Sequence, residues 1–140
     1  MMTTDSVLRA SVLMVAIAST ASAAVLPVAK LDRKTPVDFH TEIVPVLKAN
    51  CTACHNKTTT KAGLNLETPQ LMFKGGDSGP SVVPGKGSES LLLQSAMHDS
   101  DSEMPPKGNK VGAVNLSPQE LGLIKLWIDQ GAKAGELKAR

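Results

Sequence analysis

Apolar residues recur at helical spacing in two stretches of this chain, one on each side of a polar, loop-rich middle. Phe39, Ile43, Val46 and Leu47 fall at i, i+4, i+7 and i+8, the spacing of one helical face. Asp38 stands where an N-cap belongs. Pro45 sits inside the pattern and is tolerated if the regular helix starts near Thr41 or Glu42, where early amides lack intrahelical partners; otherwise it kinks the helix. In the second stretch Leu121, Ile124 and Ile128 make one stripe, with Leu123 and Trp127 beside it. Ser117-Pro118-Gln119-Glu120 is a capping box with proline at the first helical position, and Gly131 suits the C-terminal cap.

Between these stretches the spacing predicts two short helices. Thr68-Pro69 opens the first and Gly75-Gly76 ends it; Ser88 with Glu89 starts the second, which Leu91, Leu92, Leu93 and Met97 make apolar. Asn56 to Ala62 and Asp77 to Gly87 read as loops. Gly85-Lys86-Gly87-Ser88 fails the spacing of a phosphate-binding loop. No βαβ pattern is visible.

The two ends differ from the rest. Met1 to Arg9 is polar, Val12 to Ala18 is apolar, and Ala21-Ser22-Ala23 fits the small-residue cleavage rule, so residues 1–23 read as a signal peptide with the mature start at Ala24. The apolar run is shorter than the ~20 residues of a bilayer span, and no cysteine adjoins the cleavage site to take a lipid. The expectation is an exported, periplasmic protein with no stable membrane insertion after cleavage. Residues 24–36 read as a flexible lead-in, 37–132 as one domain, and 133–140 as a polar tail.

Composition narrows the picture. Phe39, Phe73 and Trp127 are the only aromatic residues and tyrosine is absent. A core so poor in large side chains is marginal alone, and a buried prosthetic group would supply the missing apolar volume. Charge is nearly balanced, with a formal net charge of +2. No basic stripe of the kind that nucleic-acid binding needs is present.

The chemistry concentrates in Cys51-Thr52-Ala53-Cys54-His55, which reads C-x-x-C-H, the attachment signature of a c-type haem. Two thiols three residues apart can each add across one vinyl group, and the next residue then offers its imidazole to the iron. Cys51 and Cys54 are the only cysteines. A thioredoxin-like pair needs a βαβ setting. A closed zinc site needs four ligands, and His40, His55 and His98 stand at no paired metal spacing. A plain disulfide is the remaining alternative for an exported chain.

Met104-Pro105-Pro106 is the second chemical site. Two prolines stiffen the backbone directly after a thioether, and Asp99, Asp101, Glu103 and Lys107 make the flanks polar, where methionine as core filler is out of place. Given a haem, Met104 is the expected sixth ligand. His98 is its main competitor, followed by Met97 and Met72, and His40 reads as a surface residue. The second ring nitrogen of His55 needs an orienting acceptor, expected among Ala62-Gly63-Leu64.

The ordered series F-x-x-x-I-V-P-V-L, C-x-x-C-H, G-L-x-L, G-G-D-S-G-P, V-P-G, S-L-L, M-P-P and W-I-x-x-G-A, running from Phe39 to Ala132, resembles the planctomycete-type cytochrome c domain. The resemblance implies a small all-α, class I cytochrome c-like fold, its N- and C-terminal helices packed across each other around a covalently bound haem. It implies one haem c on Cys51 and Cys54, proximal iron ligation by His55 and distal ligation by Met104. The chain ends soon after Ala132, and the expectation is a separate monomeric protein that meets its redox partner proteins by diffusion. The expected function is one-electron transfer without catalysis. The alternative is a haem sensor or peroxidase-like enzyme with a labile sixth ligand.

Overall fold

Pro45 shapes the first helical segment. In the computed structural model, which describes residues 24–135, Asp38 accepts hydrogen bonds from the Thr41 amide at 2.8 Å and the Thr41 hydroxyl at 2.9 Å. Phe39–Ile43 then forms a wide π-helical turn, closed by Val44 N–H on the Phe39 carbonyl. Helix α1 (Val44–Asn50) follows, with Pro45 in its first turn. A proline ring clashes with the carbonyl four residues earlier, and a turn widened to five residues moves that carbonyl aside. The regular helix therefore begins later than Thr41 or Glu42, and its first turn is a π-bulge of the kind seen near functional segments.

Helix α2 (Pro69–Lys74) is capped by Thr68, whose hydroxyl accepts the Leu71 amide at 3.3 Å, and it ends at Gly75 with φ 72°. Helix α3 (Leu91–Ala96) departs from the sequence reading. Gly87–Glu89 is a separate 3-10 turn, and the residue before α3 is Ser90, not Ser88. The Ser90 hydroxyl, fully buried, donates to the Lys86 carbonyl and accepts from the Val83 amide, both at 2.9 Å. Helix α4 (Pro118–Asp129) carries the expected capping box between Ser117 and Glu120 and ends before Gly131 at φ 100°.

Among the described residues there is no strand, only two isolated bridges, and the protein is all-α. The core joins the first helical segment to the last. Phe39 stacks on Trp127 with ring centroids 5.3 Å apart, and Ile43, Leu47, Leu121, Ile124 and Ile128 close around them. The Trp127 indole N–H donates to the Lys133 carbonyl at 2.9 Å, which draws the start of the polar tail back onto α4. Residues 136–140 of that tail lie outside the described residues, as do residues 1–23, which the sequence reading expects to be a signal peptide.

Residues 24–36 are extended and tied to the rest of the chain at several points. Leu26 N–H donates to the Met97 carbonyl at 2.7 Å and Ala29 N–H to the Pro118 carbonyl at 2.9 Å. Gly122 makes room for this strap: a Cβ there would stand 2.3 Å from the Ala29 carbonyl oxygen. Arg33 then pairs with both Glu42 oxygens, at 2.7 and 2.9 Å. No described helix is long and apolar enough to cross a membrane.

Candidate haem site

Helix α1 delivers the chain into the cysteine motif. Cys51 N–H closes on the Leu47 carbonyl, and His55 N–H on the Cys51 carbonyl at 3.1 Å, so the motif is itself one helical turn. That turn brings Cys51, Cys54 and His55 onto the wall of one cavity of about 320 Å³. Leu64, Leu66, Leu92 and Ala96 supply apolar lining. Met104, Pro105 and Pro106 line the same cavity.

The two cysteines are free and do not form a disulfide. Burial pushes the Cys51 thiol up to about 12. Reactive cysteines of redox pairs have a depressed thiol pKa, and burial shifts Cys51 in the opposite direction. Among the described residues no cluster of His, Cys, Asp and Glu gathers to hold a metal ion by itself.

His55 is buried, and its pKa is held below the ordinary value by loss of solvent, partly offset by the backbone carbonyls of Leu64 and Lys61. Leu64 belongs to the stretch expected to orient the ring. Neither carbonyl closes a hydrogen bond with the ring, and Nδ1 is a buried nitrogen without a partner. The neutral imidazole is the form that ligates a metal.

The Met104 loop is fastened at several points. Met104 N–H donates to the Ser95 carbonyl at the end of α3, at 3.0 Å. Asn109 spans the loop beyond it: its amide donates to the Pro106 and Ala113 carbonyls at 3.1 and 2.8 Å, and its oxygen accepts the Ala113 amide at 3.0 Å. Asn50, at the end of α1, accepts the Val114 amide at 3.1 Å, so the loop is tied beside Cys51. The sequence reading missed both asparagines. The available signal was Asn109 between Gly108 and Gly112, a setting in which an asparagine side chain closes a turn.

The competing ligands stand elsewhere. Met72 is fully buried in the core, and Met97 packs against it. His98 is buried at φ 63°, with Nδ1 4.0 Å from a Glu103 oxygen. None of the three lines the cavity. His40, half-buried, presents its ring to the edge of Phe39. Two thiols, an imidazole and a thioether around one largely apolar cavity are a donor set that fits a covalently held haem.

Residues 51–108 match the family model of planctomycete cytochrome c. Among solved structures, the hydrazine synthase of Kuenenia stuttgartiensis is similar at 24% identity over 69% of this chain, with a TM-score of 0.41. The match spans 16% of that chain. No curated protein matches the sequence. Residues 51–108 of this chain are thus similar to planctomycete cytochrome c, and Cys51, Cys54, His55 and Met104 all lie within the matched stretch.

Proposed function

We propose that this protein is a periplasmic monohaem c-type cytochrome that carries one electron between partner proteins and performs no bond chemistry. Cys51 and Cys54 would hold the haem through two thioethers, His55 would be the proximal ligand and Met104 the distal one. The bound haem supplies a ferric–ferrous couple. The protein's part is to fix the ligands, exclude water and set the potential. The terminal helices then cross around the haem in a class I arrangement, and the leader is removed after Ala23. One observation carries this reading: the C-x-x-C-H turn and Met104 line one cavity, while His98, Met97 and Met72 do not.

Methionine is a soft ligand that favours the ferrous state, so Met104 raises the potential relative to a bis-histidine site. Lys107 and Lys110 are exposed on the loop that follows Met104. They offer a redox partner weak electrostatic attraction close to the cavity. Covalent attachment is tested by acid–acetone extraction of protein made with haem-maturation machinery. Haem should stay on the chain, and mass spectrometry should show residues from Ala24 plus one haem. Complete loss of haem, with Cys51 and Cys54 recovered as a disulfide, would overturn the proposal.

A further inference from the structure

His55 is gripped by backbone from several sides. The Leu66 amide donates to the His55 carbonyl at 3.0 Å, and the Lys61 amide donates to the Cys54 carbonyl at 3.1 Å. The intervening stretch thus returns beside the imidazole, but in an uncommon conformation. Ala62 (φ 53°, ψ 31°) and Gly63 (φ 65°) are consecutive left-handed residues. For alanine this costs about 1–2 kcal/mol and persists only where the surroundings hold it.

The holding group comes from another element. Asp77 N–H donates to the Ala62 carbonyl at 2.8 Å. Asp77 lies in the turn after α2, closed by reciprocal bonds between Gly76 and Gly79 at 3.1 and 2.9 Å. This turn approaches so closely that a Cβ on Gly76 would stand 2.3 Å from the Ala62 carbonyl oxygen and 3.0 Å from the Leu64 nitrogen. Gly76 does not itself have a positive φ. Glycine is required there by close approach, not by backbone conformation.

We propose that the Gly75–Gly79 turn is a positioning clamp for His55: the Asp77 amide, admitted by the missing side chain of Gly76, fixes the Lys61–Leu64 backbone beside the imidazole. This deepens the proposed ligation of iron by His55 and rests on it. Partners of a ligating histidine set its ring orientation and raise its basicity. His55 Nδ1 has no partner in this structure, and the Leu64 and Lys61 carbonyls are the acceptors beside the ring. With iron on the other nitrogen, displacing that backbone would leave Nδ1 without an acceptor, giving a less basic ligand and a higher reduction potential.

The test compares Gly76→Ala with Gly85→Ala in the full chain matured with haem. Gly85 has φ 82° and open space around a built Cβ, and it lies outside both the turn and the cavity lining, so alanine there strains the backbone without pressing on Ala62. Covalent haem is read by mass, the potential by redox titration, and the His55 ring N–H by proton NMR. Both variants should retain haem. Gly76→Ala should raise the potential and speed exchange of the ring N–H; Gly85→Ala should lose thermal stability while keeping the wild-type potential. A fully haem-loaded Gly76→Ala with wild-type potential and ring signal overturns the clamp. A wild type without covalent haem overturns the ligation itself, and the clamp with it. Should Gly76→Ala not accumulate, hydrogen exchange of the wild-type holoprotein decides. The Asp77 amide and the His55 ring N–H should be protected together, and a freely exchanging Asp77 amide refutes the proposal.

Discussion

Met104, the proposed distal ligand, is held in place by its backbone. Its amide is bound to Ser95, two prolines follow it, and Asn109 and Asn50 close the loop beyond. Restricting the loop before ligation lowers the entropy lost when the thioether engages. Asn109→Ala removes several of these bonds at once. At roughly 1 kcal/mol net for each bond, the variant should lose about 1–3 kcal/mol in denaturant titrations. It should also bind carbon monoxide faster in the reduced state, because the loop no longer holds Met104 in place. Unchanged carbon monoxide kinetics would show that Asn109 braces the loop without serving the ligand.

Elements join here by close packing and by a few long-range polar ties. The Phe39–Trp127 stack links the first helical segment to α4, and Trp127 is 1% exposed. Trp127→Ala should cost about 3–5 kcal/mol of stability, read from the denaturation midpoint, with the haem still attached because its thioether bonds do not depend on folding. The strap before α1 has a different dependence. The Arg33 guanidinium, bonded to both Glu42 oxygens, holds that carboxyl below the ordinary range, with help from the Asp38 amide. A lowered carboxyl pKa contributes stability that is fully present above the ordinary glutamate value and is lost as pH falls through the lowered one. Wild type should therefore lose stability in that acid window, and Glu42→Gln should flatten this part of the profile. An identical acid profile in Glu42→Gln would remove the ion pair from the account.

Across the whole molecule, local rules were legible and long-range ones were not. Asp38, Thr68 and Ser117 cap helices as their spacing predicts, because a cap depends on residues within one turn. Ser88 was mistaken for the start of α3 because the deciding contacts of Ser90 reach back to Val83 and Lys86. The anchoring of the strap depends on Met97, Pro118 and Gly122, far away in sequence, and no local pattern announces it. At the site, C-x-x-C-H and Met-Pro-Pro stood out because their chemistry is local. Their shared cavity, and the bracing by Asn50, Asn109 and the Gly76 turn, required the fold.

The central claim is that His55 and Met104 close the iron from both sides in an electron carrier. The most direct measurement is the weak far-red absorption of the ferric protein, followed by carbon monoxide binding to the ferrous protein. Wild type should show the band of methionine coordination and bind carbon monoxide slowly or not at all. Met104→Ala should lose the band, fall in potential and bind carbon monoxide promptly. A band that survives in Met104→Ala and disappears in His98→Ala or Met97→Ala would contradict the ligand assignment, and rapid carbon monoxide binding by wild type would contradict the carrier reading.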